Sequence, residues 1–162
     1  MATHKGSAGV QERACWALGN IAFNDVNQVK IAVAGGVEAV LAAMATHKGS
    51  AGVQQVACGV LRNLANDNND NQVKIAEAGG VEAVLAAMTT HKGHADVQQN
   101  ACLLLGNLAE DNNENQVKIA ATGGVEAVLA AMATHKGSSD LQEISFLVLS
   151  TLALNKDINV KV

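Results

Sequence analysis

Proline and tyrosine are both missing from this 162-residue chain, and its aromatic total is two Phe and one Trp. Without Pro a collagen-like Gly-X-Y helix is excluded. Scarce aromatics and 29 alanines argue against an all-β fold, because Ala is depleted in strands. Positive charge is also thin. Arg13 and Arg62 are the only arginines, the net charge is −4 and the isoelectric point is near 5.7. A nucleic-acid surface normally shows a basic stripe, so no nucleic-acid partner is expected. No apolar run reaches the roughly 18 residues of a membrane span. Met1-Ala2-Thr3-His4-Lys5-Gly6 lacks the apolar stretch of a signal peptide. The expectation is a soluble protein without a membrane partner, cytoplasmic and with the nucleus also open to it.

What is present begins with hydrophobic residues, at 49% of the chain. That share excludes a disordered polar polymer. The length suits one ordinary domain of about 100–200 residues. Its core must be built from Ala, Val, Leu, Ile and Met.

Self-similarity organises these residues. Gly-Gly-Val-Glu-Ala-Val-Leu-Ala-Ala-Met begins at Gly35, Gly79 and Gly123, and Asn-Gln-Val-Lys-Ile-Ala begins at Asn27, Asn71 and Asn115. Both spacings are 44 residues. Thr-His-Lys-Gly recurs at Thr3, Thr46, Thr90 and Thr134. Its first interval is one shorter, because the loop at Phe23-Asn24-Asp25-Val26 lacks one residue. A strict period in the 40s is the mark of a solenoid built from two- or three-helix units.

Each unit reads as three helices. The first covers about Asn71–Ala78, after a cluster of Asn and Asp suited to capping. Gly79 stops it, since Gly adopts the left-handed conformation that closes a helix. The second covers about Val81–Thr90, with Glu82 in the first turn and His91 and Lys92 at the end, as the dipole favours; Gly93 is expected to terminate it. The third is the longest, about Ala95–Glu110. Its apolar residues Val97, Ala101, Leu104, Leu105 and Leu108 follow the spacing of an amphipathic helix.

The chain is therefore expected to be one array over residues 1–162. It holds a partial unit at 1–26, units at about 27–69, 70–113 and 114–155, and a partial first helix at 156–162. The last third helix is apolar almost all round, through Leu141, Ile144, Phe146, Leu147, Val148, Leu149, Leu152 and Leu154. Such a helix expects cover from a neighbour. Self-association through the terminal repeats is one way to supply it.

Several chemical readings are weak. Cys15, Cys58 and Cys102 hold one equivalent position on successive third helices, which stack about 8–10 Å apart. That spacing exceeds the roughly 7 Å limit of a disulfide and is too wide for a shared zinc, so buried thiols are expected. His4, His47, His91 and His135 recur in one motif and read as helix-end features. His94, three after His91, could at most join it in adventitious metal binding. The Asn-rich loops lack the acidic alternation of a calcium loop. No nucleophile stands with a His and an orienting acid, and the Gly-Gly pairs lack the Lys-Ser/Thr of a phosphate loop. Neither catalysis nor a cofactor is expected.

Gln11-Glu12-Arg13-Ala14-Cys15-Trp16-Ala17-Leu18-Gly19-Asn20-Ile21-Ala22 resembles the third helix of an armadillo repeat, as found in importin-alpha and beta-catenin relatives. Asn71-Gln72-Val73-Lys74-Ile75-Ala76-Glu77-Ala78-Gly79-Gly80-Val81 is similar to the family's first helix and its turn into the second. The likeness runs the length of the chain in register. It implies an all-α fold, a right-handed α-solenoid of three-helix repeats, and it implies binding. In that family, recurring Asn side chains on the third helices hydrogen-bond to an extended peptide, and a Trp one turn earlier walls its side chains. Asn20, Asn63 and Asn107 match that Asn, and Trp16 matches that Trp. At the Trp position the other units carry Gly59, Leu103 and Leu147, and Thr151 replaces the fourth Asn.

The chemistry fits independently. Asn offers two donors and an acceptor to a peptide bond. An extended chain advances about 3.3 Å per residue, so one Asn would meet roughly every third residue. Neighbouring positions would tune specificity, among them Arg62, Phe23 and Glu110. Glu12, Asp67, Glu110 and Asp111 add a mild acidic bias, which Arg62 opposes. The expected partner is an extended peptide or disordered protein segment. The alternatives are a structural or self-assembling scaffold with an empty groove, and an engineered or consensus-derived array.

Overall fold

The computed structural model describes residues 1–155, so the expected partial first helix at 156–162 lies outside the described residues. After a short 3-10 turn at Ala2–His4 the chain forms α1 (Ala8–Ile21), α2 (Asp25–Val33), α3 (Gly36–Thr46) and α4 (Ala51–Ala65). It continues through α5 (Asn69–Glu77), α6 (Gly80–Thr90), α7 (Ala95–Ala109), α8 (Asn113–Ala121), α9 (Gly124–Thr134) and α10 (Ser139–Ala153). No strand occurs among the described residues. First helices α2, α5 and α8 form one layer, second helices α3, α6 and α9 another, and third helices α1, α4, α7 and α10 the most extensively packed one. The architecture is an all-helical solenoid.

Local chemistry sets the helix boundaries. Asn24, Asn68 and Asn112 cap the first helices by accepting from the backbone N–H three residues on. These caps start α2, α5 and α8 at Asp25, Asn69 and Asn113, one or two residues ahead of the unit borders at 27, 70 and 114. Gly35, Gly79 and Gly123 sit at φ of 81°, 88° and 90°, where a side chain is strained. Their successors are needed for closeness instead. A Cβ on Gly80 would lie 2.4 Å from the Ile75 side chain and 2.7 Å from its carbonyl oxygen. The pair bends the chain sharply, by 71° between α2 and α3.

Gly93 does not terminate the second helix as expected. Its φ is not left-handed, and a Cβ there would meet nothing within 4 Å. The helix ends at Thr90 and is capped by His91, whose N–H donates to the Ala87 carbonyl while its ring reaches the previous repeat. The third helix ends at Ala109 rather than Glu110, which is its cap. Asp111 and its counterpart Asp67 then take φ of 47° and 49°, a left-handed turn that Asp tolerates better than most residues. The loop after α1 is one residue shorter and has no such turn.

The core follows the third helices. Val53, Ala57, Leu61 and Leu64 of α4 and Leu104, Leu105 and Leu108 of α7 are fully buried. Each large side chain contributes about 1.5–3 kcal/mol of hydrophobic stabilisation. Gln54 and Gln98, also buried, clamp the second helix to the third. Gln98 Nε2 donates to the carbonyls of Met88 and His91, both at 3.0 Å, and Gln54 bonds Met44 and His47 in the same way. The Met44 and Met88 carbonyls would otherwise lack a partner among the described residues, whereas those of His47 and His91 also accept from the N–H groups of Ser50 and His94. No single helix is long and apolar enough to cross a membrane.

Candidate functional site

The third helices place three rows of side chains along one accessible surface. Trp16, Gly59, Leu103 and Leu147 form the first row, and Asn20, Asn63, Asn107 and Thr151 the second. The third comprises the helix-end residues Phe23, Asn66, Glu110 and Leu154. Trp16 and Phe23 are 64% and 70% exposed. Asn20 and Glu110 are exposed, while Arg62, Asn63 and Asn107 are half-buried.

The Asn side chains have work inside the array. Asn63 Nδ2 donates to the Gly19 carbonyl at 3.1 Å, and Asn107 Nδ2 donates to the Arg62 carbonyl at 3.1 Å. Each thus ties its helix to the preceding third helix. Asn63 Oδ1 accepts from Nε and Nη2 of Arg62 at 3.2 and 3.0 Å. Arg62 also reaches Asn100 Oδ1 at 3.5 Å, which pins its guanidinium between two repeats. The Asn20 side chain makes no hydrogen bond among the described residues. One rung is therefore open and two are engaged. An amide has a second N–H, so Asn63 keeps donor capacity toward solvent, whereas Asn107 Nδ2 also reaches Asn66 Oδ1 at 3.5 Å.

Acidic groups collect beside the third row. Asp67, Asp70, Glu110 and Asp111 line one shallow depression together with Val29 and neighbouring Asn residues. Asp67, Glu110 and Asp111 belong to the acidic bias already visible in the sequence, and the structure adds Asp70 and the left-handed turns at Asp67 and Asp111.

Two other recurring residues prove to be connectors. The His47, His91 and His135 rings lie 2.7 Å from the carbonyls of Lys5, Lys48 and Lys92, one repeat earlier each time. Lys74 and Lys118 pair with Glu38 and Glu82 at 3.4 and 3.3 Å and also donate to the carbonyls of Ala32 and Ala76. His91 and His94 meet edge to face at 5.6 Å. No group of three or more potential metal ligands occurs among the described residues.

Cys15, Cys58 and Cys102 are buried and unpaired. Burial pushes the Cys58 thiol up to about 12 and the other two to about 11. At such values they are protonated, unreactive and hydrophobic in character. The Ser145 hydroxyl donates weakly to Cys102 Sγ at 3.9 Å, marking the contact between α7 and α10.

Stacked three-helix units, an Asn rung on every inner third helix and a left-handed Gly between first and second helices define an armadillo-type α-solenoid. The chain belongs to the LRRK2 ARM repeat family, which matches it over residues 1–161. It is also similar to an engineered protein known from a crystal structure, with 28% identity and a TM-score of 0.81. That likeness covers 92% of this chain and 58% of the engineered one, so this chain spans less than two thirds of its neighbour. None of the curated proteins compared with the chain matches it.

Proposed function

We propose that this protein is a binding module that holds an extended peptide along the third-helix surface and has no catalytic role. One observation carries the reading: the chain has three aromatic side chains, and all of them are exposed. Trp16, Phe23 and Phe146 are 64%, 70% and 61% accessible, while the core is aliphatic. Large apolar rings left in water mark contact surfaces. Trp16 and Phe23 flank Asn20, the rung with no partner among the described residues, so an aromatic wall and a free amide stand together. The acidic depression farther along favours a peptide with basic side chains. Three unpaired thiols suit a reducing compartment, and we place the protein in the cytoplasm.

The test follows from the hydrogen bonds. Replacing all three Asn residues would also loosen the stack, so Trp16→Ala, Phe23→Ala and Asn20→Ala are the informative changes. A library of extended peptides is titrated against wild type and the triple variant. Binding is expected to weaken at least tenfold with unchanged helical content. Binding that survives all three changes overturns the reading.

The second reading is a scaffold with an empty surface. The engineered neighbour favours it, together with the near-identical second helices.

A further inference from the structure

The outer faces of α1 and α10 are the two sides of one interface. We propose that copies of this chain associate head to tail, with α1 of one copy stacking on α10 of another as α10 stacks on α7 within the chain. The proposal needs no peptide ligand, but it shares Asn20 and Phe146 with the peptide reading.

The apolar parts come first. In the inner repeats Val53, Val60 and Leu64 are buried, Val60 against Gly19 of the preceding third helix, and on α7 Val97, Leu104 and Leu108 are buried in the same register. On α1 the corresponding residues are Val10, Ala17 and Ile21, and all are exposed. On the other side, Cys58 and Cys102 are fully buried under the next third helix, whereas Phe146 at the same position of α10 is 61% exposed. These two faces are the halves of a contact the molecule already makes three times.

The register then dictates which residues meet, and each pair fits. Cys102 faces Ser145 within the chain, so Phe146 would face Ala14: a large side chain over a small one. Gly106 lies against Val148, so Ser150 would lie against Ala17, two small residues that leave the helices free to approach. Glu12 packs on Gly52, its carboxylate lying where a Cβ on that glycine would point. Glu143 and Gly9 would repeat that pair, and a Cβ on Gly9 now meets nothing within 4 Å. Arg13 stands one turn from Gly9, where the inner helices carry Val56, Asn100 and Ile144. It would bring a positive charge to Glu143.

The polar ladders end in matching halves. Asn63 and Asn107 donate to the preceding third helix; Asn20 would donate to the Ser150 carbonyl. His47, His91 and His135 bond a Lys carbonyl one repeat back; His4 would bond that of Lys136. Donors stand on the α1 side and acceptors on the α10 side. Face-to-face pairing of two α1 helices would match donor with donor, so these ladders select the head-to-tail arrangement. Such a contact is heterologous and does not close on itself unless the rotation forms a ring. Oligomers without a fixed size are expected.

Sedimentation velocity over a concentration series tests this, with variants that block one side each. Ala17→Glu places a charge on the α1 face and Phe146→Glu on the α10 face. Wild type is expected to grow beyond dimers with concentration. Each variant alone is expected to be monomeric, because its only intact face meets a blocked one. A one-to-one mixture is expected to form a dimer and nothing larger, because one intact face of each kind remains. Wild type that stays monomeric throughout, a single variant that still dimerises, or a mixture that stays monomeric overturns the proposal. Should Ala17→Glu lose helical content, Arg13→Glu takes its place, with at least a tenfold weakening expected alone and recovery when Glu143→Arg joins it in the same chain. Trp16→Ala with Phe23→Ala leaves sedimentation unchanged, so this test and the peptide test can fail separately.

Discussion

Helices α1 and α4 hold the same place in the repeat yet live in different environments. Leu64 near the end of α4 is fully buried, and Ile21, its counterpart in α1, is 50% exposed. In α4 eight residues are buried; in α1 only Gln11 and Cys15 are. Both carry apolar residues in the same register, and both are capped by a Ser that accepts from the N–H three residues on. The difference shows that helix identity here is local, set by caps and turns, while stability is a property of the stack. This is the behaviour of a quasi-one-dimensional array, in which each unit draws its free energy from its neighbours.

The largest expected effect is a direct contrast. Leu64→Ala is expected to cost about 2–5 kcal/mol in urea unfolding, as for a buried core leucine. Ile21→Ala, measured in dilute solution, is expected to cost less than about 1 kcal/mol. Equal costs would mean that α1 is packed as an inner helix. Next come the glutamine clamps. Gln98→Ala strands the Met88 carbonyl and removes one of the two donors to that of His91, and it is expected to cost about 1–3 kcal/mol. Gln11 makes the same bonds to Met1 and His4 at the array's edge, so Gln11→Ala is expected to cost less, because water reaches those carbonyls.

The thiols give a comparison in pH. Burial raises Cys58 from about 9 to about 12, and Cys15 to about 11, where the chain's terminal ammonium opposes the rise. The folded state thus holds these protons where the unfolded state has lost them. Their stabilising contribution is complete below pH 9 and disappears as pH rises through 9 to 12. Cys58→Ala is expected to flatten the alkaline limb of a stability–pH curve more than Cys15→Ala. The smallest effect is expected at the ion pairs. Lys118 is bonded to Glu82, whereas Lys30, at the same ladder position, makes no ion pair among the described residues. Lys118→Ala is expected to cost at most about 1 kcal/mol and Lys30→Ala less, with the gap narrowing in salt.

Much of this organisation is visible in the residues themselves. Ten identical residues repeated at Gly35, Gly79 and Gly123 reveal the second helix, and periodic apolar residues reveal the third. Gly79 announces its own left-handed turn. Other features are hidden for physical reasons. The direction of an Asn amide depends on which carbonyl its neighbour presents, so nothing local foretells that Asn63 and Asn107 bond the preceding helix. The left-handed Asp67 and Asp111 follow from a loop one residue longer than that after α1, a signal available only by comparing repeats. Gly93 misleads because a glycine after a helix suggests a left-handed stop, whereas here a histidine ring anchors the end. The rows containing Trp16, Asn20 and Phe23 are readable as candidates, but their accessibility is a tertiary fact.

The three cysteines have a use beyond filling space. Cys102 lies at the α7–α10 contact, and in the same register Cys58 lies between α4 and α7 and Cys15 between α1 and α4. Every joint of the stack therefore carries one sulfur that a thiol reagent reaches only while that joint is open. Timed alkylation read by peptide mass would give three separate opening frequencies from the unmodified chain. The solenoid carries its own strain gauges, one per joint.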